Sequence, residues 1–372
     1  MARVGLSEFF DDLAHYRLIL GDRNPSYRRV LEHVRALLEG PYHDPQFEAR
    51  LAHALRGREF FVYHERPLLI LAAMRCEALA EGPRHPLYAW LVSGNGDADG
   101  ISQQSVREAT DARRLGFWVS LATRRVQTNE VSRAVGWRWP AQLLETTCGQ
   151  MDLSLIDIGS AAGLNLVADR MPSSWTDDEG GALALNRAPI FERVGFDTHP
   201  LDVCHEEDLL WLRANIWPSE RDRLDRFDAA VKVLQASLLD PNEAVRPNLV
   251  ALSAPLVPVR LEAIARGLPA GRRVFAFQSF LESYLDIERR KLYRQKMREW
   301  LQMGDFGARA WTECEPLDDP GNGPPSQIAV SLKTRTGEVE RFVVGRCDYH
   351  PQQVAINRAE VARLVSATAP PS

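Results

Sequence analysis

The 372-residue chain is poor in cysteine, with five residues (Cys76, Cys148, Cys204, Cys314, Cys347) and no C-x-x-C pair or zinc spacing among them. An odd, dispersed set points to reduced thiols in a cytoplasmic protein rather than a disulfide scaffold. Long apolar runs are also missing. None approaches the ~18 residues of a membrane span, which argues against a membrane partner. The segment Met1–Phe10 lacks the apolar core of a signal peptide, so cytoplasm is the expected location. No G-x-S-x-G elbow, phosphate-binding G-x-x-x-x-G-K-[ST] loop or H-E-x-x-H pair occurs, which removes α/β-hydrolase, most nucleotide-hydrolase and zincin chemistry. Neither charge sign dominates: 45 Lys+Arg against 50 Asp+Glu leave a net −5, which speaks against nucleic acid as a partner. The run His205-Glu206-Glu207-Asp208 hints at a metal, but acids in a first helical turn are ordinary partners of the helix dipole. The loop from Ser93 to Gly100 resembles a calcium loop without its later ligands or closing glutamate, and is read as a surface turn. No metal is expected.

What is present divides the chain near residue 150. Before it the apolar spacing is helical: Phe9, Phe10, Leu13, Tyr16, Leu18 and Leu20 share one face, and Tyr27, Val30, Leu31, Val34, Leu37 and Leu38 another, stopped by Gly40-Pro41. Further helices are predicted at 45–55, 67–80, 102–114, 117–125 and 130–148. After residue 150, strands predicted at 153–158, 190–196, 248–253, 273–278 and 307–312 alternate with helices at 164–170, 206–216, 220–235, 257–266 and 287–303. A hairpin at 327–334 and 339–345 turns at Thr336-Gly337. The expected organisation is an N-terminal helical domain (1–150, a candidate lid), an α/β domain (151–350) and a C-terminal tail (351–372).

The stretch Asp157-Ile158-Gly159-Ser160-Ala161-Ala162-Gly163-Leu164-Asn165 succeeds an apolar run and leads into a helical pattern. A strand, a tight glycine turn and a helix start together aim backbone N–H groups at a ligand. The spacing Gly159-x-Ala161-x-Gly163 is one residue shorter than the dinucleotide fingerprint G-x-G-x-x-G. With its preceding acid it resembles the first motif of S-adenosylmethionine-dependent methyltransferases. Alanine replaces the second glycine of that motif, a tolerable change if the φ of Ala161 is negative. Five αβ steps closed by an antiparallel hairpin resemble the seven-stranded, Rossmann-like methyltransferase sheet.

Five segments occur in the same order in one bacterial family. They are Val126–Arg133, Asp157–Leu166, Arg193–Asp202, Trp211–Pro218 and Phe277–Leu285. On these the chain resembles the bacterial domain-of-unknown-function family 2332, for which no reaction can be carried over. It departs from the family pattern at Ser253-Ala254, where a strand commonly ends in aspartate, and at Tyr349-His350-Pro351-Gln352, where His-Pro-His-Gly is common.

The methyltransferase resemblance implies roles residue by residue. Gly159, Ser160, Ala161 and Gly163 would shape the loop against S-adenosylmethionine, with Asp157 orienting its amino-acid end. Asn165 would reach the same pocket or stabilise the first helical turn. Asp197, ending the second strand, would accept both ribose hydroxyls, with Asp202 as the fallback; either acid also suits a loop cap. Thr128, Asn129, Glu130 and Arg133 either line a substrate pocket or do helix work, Thr128 as cap and Glu130 pairing with Arg133. At the fourth strand exit the Asn/Asp-Pro-Pro-aromatic motif of amino-group methyltransferases is absent. Gln278, Glu282 and Tyr284 stand there as hydrogen-bonding or general-base candidates, or else Phe280 and Tyr284 are core and Glu282 caps the next helix. His350 comes after the hairpin, either at the ligand edge or as an ordinary surface or core histidine.

The leading expectation is methyl transfer from S-adenosylmethionine to an unknown acceptor, with a small molecule favoured. Two alternatives remain open: a non-catalytic binding protein that retains the fold, and an NAD-type oxidoreductase. Exposed apolar helices in the first half are consistent with a homodimer.

Overall fold

A computed structural model describes residues 7–20, 23–94, 96–172, 175–186 and 188–369, with Leu18 and Ile19 described in backbone only. Met1–Leu6, Asn95 of the Ser93–Gly100 loop and the Leu18 side chain therefore lie outside the described residues. The chain divides into two compact units, 1–128 with 204–225, and 129–203 with 226–372.

The first unit is helical. It contains α1 (Ser7–Leu20), α2 (Pro25–Leu38), α3 (Pro45–Ala54), α4 (Glu65–Glu81), α5 (Tyr88–Leu91), α6 (Gln103–Ala109) and α7 (Leu115–Thr123). Local chemistry sets the starts: Asn24 and Asp44 accept backbone N–H groups of the first turns, and proline comes directly after each of them. Helix α4 is apolar around most of its girth because it is central, with Leu69 through Met74 buried. After α8 (Val135–Cys148) and the first strands, the chain returns to this unit as α9 (Glu206–Ala214). The buried Arg75 of α4 donates to the carbonyls of Leu91 (2.8 Å) and Arg213 (2.9 Å), and Trp211 donates to the Arg125 carbonyl (2.9 Å). The acids of the 205–208 run lie in the first turn of α9, where Asp208 pairs with Arg124.

The second unit is built on one sheet of nine strands. They are β1 (Asp152–Ile158), β2 (Thr176–Asp177), β3 (Ile190–Asp197), β4 (Pro247–Ala251), β5 (Arg272–Ser279), β6 (Arg309–Pro316), β7 (Ser326–Lys333), β8 (Val339–Cys347) and β9 (Gln353–Ile356), in the order β2-β9-β8-β7-β6-β5-β1-β3-β4. Strands β4, β3, β1, β5 and β6 run parallel, and β6 through β9 form an antiparallel meander. The sheet thus has nine strands rather than the expected seven. The additions are β2 and β9, which pair in parallel at the far edge and are too short for an alternating pattern to register. Residues after 351 hold β9 and a terminal helix, α13 (Arg358–Thr368).

The sheet is covered on both faces, which is why β1 and β5 read as continuous apolar runs. One face carries Leu153, Leu155, Phe275, Phe277, Ala310 and Cys314 under α8 and α13. The other carries Ile156, Ile158, Val274, Ala276 and Trp311 under α11 (Val257–Gly267) and α12 (Ile287–Met303), which come after α10 (Arg221–Leu239). Helix α8 comes within reach of the sheet through Gly136, where a Cβ would sit 2.9 Å from both Phe277 and Cys314. The cysteines are free thiols, and Cys314 and Cys347, distant in sequence, bring their sulfurs to 3.8 Å.

Candidate functional site

From β1 the chain moves outward to β3 and β4, then returns to lay β5 on the opposite side of β1. The carboxyl ends of β1 and β5 therefore flank the switch point of the parallel sheet, the place where such sheets open a crevice for ligands. The only two non-glycine residues with positive φ among the described ones stand just beyond these two strands: Ala161 (φ 49°) after β1 and Phe280 (φ 56°) after β5. Backbone strain of this kind persists where the surroundings over-determine it.

The glycine loop is bound tightly to itself and to β3. Gly159 and Ser160 both donate to the Phe196 carbonyl (2.7 and 3.1 Å), and Gly163 donates to the Ser160 carbonyl (2.7 Å). Leu164 N–H donates to Asn129 Oδ1 (3.3 Å), and Ala161 N–H to Asp197 Oδ2 (2.9 Å). The expectation that these N–H groups face a ligand thus fails at 159, 160, 161, 163 and 164, because each already has a protein acceptor. The condition placed on Ala161 fails as well, since its φ is positive. Asp197 and the bond from Leu201 N–H to the Ala161 carbonyl (3.1 Å) hold that geometry. The loop leads into a short 3-10 turn, Leu164–Arg170, rather than an α-helix.

Side chains supply what the backbone does not. Asp157 is 2% exposed, and among the described residues its Oδ2 has no hydrogen-bond partner; nor has the buried Ser160 Oγ. Burial, with a further push from Asp197, raises the Asp157 carboxyl to about 8, so at neutral pH it is mainly protonated. Asp197 is half-buried, and each of its oxygens accepts one backbone bond, from Ala161 and from His199 (2.8 Å). Asn165 is buried and stacks its polar groups on the preceding segment. Its carbonyl accepts from Trp137 Nε1 (3.2 Å), and its amide nitrogen is best turned to the carbonyls of Glu130 (3.3 Å) and Val131 (3.2 Å).

Parallel register pairs Ile158 with Gln278, which puts Asp157 and Gln278 on opposite faces of the sheet. The expected residues therefore fall into two groups. Gln278 is fully buried under α12 and uses its whole amide. Its Nε2 donates to Glu315 (2.9 Å) and Glu282 (3.3 Å), while its Oε1 accepts from Tyr293 (2.7 Å) and Trp311 (3.0 Å). Arg294 grips Glu282 with two nitrogens (2.9 and 2.7 Å) and also reaches Glu313, which Arg341 holds from the other side. Glu315 accepts the N–H groups of Leu281 (2.9 Å) and Glu282 (3.3 Å) and so fixes the turn after β5. Burial pushes Glu315 up to about 8, and Glu282 and Glu313 add to the push. Burial also raises Glu282, against the pull of Arg294. Asp286, not Glu282, caps α12. Tyr284 ends this 3-10 turn half-buried.

On the α8 face the segment before the helix closes over the loop. Thr128 ends the first segment of the helical unit, while Asn129, Glu130 and Arg133 belong to the sheet unit. The cap of the 3-10 turn Val131–Ala134 is Glu130, which accepts from Ser132, rather than Thr128. Arg133 is buried, donates to the Tyr349 carbonyl (3.0 Å) and lies 3.6 Å over the Phe280 ring. Tyr349 sets its own ring edge-on to Phe280 at 5.6 Å. His350 Nδ1 comes within 2.9 Å of Glu130 Oε2.

A family model described as an uncharacterised protein conserved in bacteria, DUF2332, matches residues 27–355. The chain belongs to DUF2332. No curated protein and no solved structure matches it. In this DUF2332 chain the sequence singled out Glu130 and Arg133 either as pocket lining or as helix chemistry, and His350 either as a ligand-edge residue or as an ordinary histidine. Glu313 and Glu315 on β6 and Arg294 on α12 were missed; they carry no local signal, because buried acids on a strand, and the helix arginine that pairs with Glu313, are recognised only together. Among the described residues no group of three or more His, Cys, Asp or Glu side chains is arranged to hold a metal, and no helix is long and apolar enough to cross a membrane.

Proposed function

We propose that this DUF2332 chain binds S-adenosylmethionine over the carboxyl ends of β1 and β3 and transfers its methyl group to a small-molecule acceptor. The observation that carries the reading is a pair of acids at one loop. Asp157 is buried with an unpartnered oxygen, and Asp197 is anchored 2.9 Å from the Ala161 nitrogen. The residues fit the cofactor's chemistry. Asp157 offers a carboxyl that ionises when a cationic group approaches it, Ser160 offers a hydroxyl in want of a partner, and Asp197 is the acid at the end of β3 that we assign to the ribose hydroxyls. The bound cofactor would supply an electrophilic methyl group on a sulfonium; the chain's task is to orient, and orientation carries much of such a displacement. The order β4-β3-β1-β5-β6 is that of a doubly wound sheet, which methyltransferase-like and dinucleotide-binding folds share. The shorter glycine spacing and the antiparallel strand after β6 favour the former.

One observation supports a non-catalytic binding protein instead. Gln278 and Glu282 are saturated by internal bonds and are poorly placed to act on a substrate. Titration calorimetry of the full chain with S-adenosylmethionine, S-adenosylhomocysteine and NAD tests these readings. The first two should bind and NAD should not. Asp197→Ala should weaken binding by about 10- to 100-fold, on the scale of lost charge-assisted hydrogen bonds. Gly159→Val should abolish binding in a folded chain, since a Cβ there meets Leu281 at 3.3 Å on a φ of +78°. Binding of NAD alone overturns the proposal.

A further inference from the structure

Cys314 of β6 and Cys347 of β8 are 33 residues apart in sequence, yet their sulfurs meet at 3.8 Å. Both side chains are fully buried in the apolar layer under α8, together with Phe277, Ile328 and Val354. Strand β7 stands between the strands that carry them, so the contact reaches across a neighbour. A disulfide would need the sulfurs at about 2.05 Å, and they stand far outside that distance. Two thiolates on one metal ion, with bonds of about 2.3 Å each, span up to about 4.6 Å. The observed separation lies within that reach. Among the described residues no third His, Cys, Asp or Glu joins the pair in a metal-holding group. Zinc, which takes four ligands in structural sites, is therefore poorly served. Copper(I) is a soft cation that favours thiolates, and two of them complete its shell.

We infer that Cys314 and Cys347 form a two-thiolate site for copper(I), set beneath the turn that follows β5. On binding, both S–H bonds break, two protons leave to solvent, and each sulfur gives an electron pair to the ion. The metal stays copper(I), so no oxidant or reductant is needed. One cation on two thiolates carries a single negative charge, which an apolar core accepts only with a counter-charge. The buried guanidinium of Arg133 supplies it, acting on both sulfurs in favour of their charged forms. The contact with Cys347 holds the Cys314 thiol below its ordinary range against the cost of burial, while the same contact and burial push Cys347 well above it. Cys347 ends β8 and is followed by the exposed Asp348 and Tyr349, the side from which an ion can arrive. Phe280 N–H donates to the Cys314 carbonyl (3.1 Å), and the Tyr349 ring abuts Phe280 in its strained turn. An ion on the two sulfurs therefore braces β6, β8 and that turn together, whether or not the sheet edge transfers methyl groups.

Anaerobic titration of the full chain with copper(I), in competition with a chromophoric copper(I) chelator, tests this. The other three cysteines are removed first, as Cys76→Ser, Cys148→Ser and Cys204→Ser, so that only the pair remains. That chain should take up one copper(I), and its X-ray absorption spectrum should show two sulfur neighbours with no nitrogen or oxygen. Uptake should strengthen as pH rises, because protons are released on binding. Copper(I) should also raise the melting temperature, since it binds the folded pair alone. Adding Cys314→Ala or Cys347→Ala should abolish both the uptake and the thermal shift, with circular dichroism showing that each chain is folded. Where the alanine variant unfolds, the serine variant at the same position takes its place. Three results overturn the inference: no copper(I) held against the chelator, nitrogen or oxygen in the metal's shell, or uptake undiminished when either cysteine is replaced. Zinc(II) bound as tightly as copper(I) overturns it too, because a site of two thiolates lacks the four ligands that zinc takes.

Discussion

Ala161 is the residue at which sequence and structure disagree most usefully. An alanine in place of a motif glycine suggested ordinary backbone, yet it occupies the left-handed region at φ 49°. For an L-residue that costs roughly 1–2 kcal/mol, held here by the bonds to Asp197 and Leu201. Ala161→Gly should relieve this strain and lose part of the gain to unfolded-chain entropy, leaving a chain as stable or up to about 1 kcal/mol more so in denaturant titrations. A loss above that would show that the alanine methyl packs rather than strains. Asp157 and Asp197 were legible from their places at strand ends. The use made of Asp197 as a loop anchor was not, because a carboxylate's partner is a matter of distance rather than spacing.

Among elements, the long strands and helices were readable because their apolar periods run for several turns or alternations. Strand β2, with two residues, and β9, with four, offered no period to read. The face each side chain takes was equally hidden. Asp157 and Gln278 both end central strands, yet the register Ile158–Gln278 sends them to opposite sides, and only pairing reveals it. Close approach between β3 and the loop is likewise a property of neighbouring elements. At Gly195 a Cβ would lie 2.5 Å from Leu249 Cδ2 and 2.6 Å from Ser160 Oγ. Gly195→Ala should therefore cost about 1–3 kcal/mol by overpacking, read by denaturant midpoint, and displace Ser160 enough to weaken ligand binding. A chain of unchanged stability would mean that Leu249 and Ser160 move aside freely.

For the whole molecule, the buried acids set a direction of pH response. Asp157 and Glu315 both titrate at about 8 when folded, against about 4 in an unfolded chain. Between those values the folded state holds more protons, so these groups lower stability as pH rises from about 4 through 8, by up to about 1.4 kcal/mol per pH unit for each proton. Melting temperatures should fall from pH 5.5 to pH 8.5, and Asp157→Asn should flatten the decline; an unaltered slope would place the effect elsewhere. Sequence patterning conveyed a helical first part and an α/β second part, but not that α9 belongs with the helices, since an amphipathic helix does not announce the surface it covers. That membership bears on synthesis. Arg75 and the flank of α4 emerge from the ribosome long before Arg213 and Trp211, which complete them. The helical half therefore waits through translation of β1, β2 and β3 with a buried-to-be guanidinium lacking one acceptor, a window in which a chaperone has something to hold.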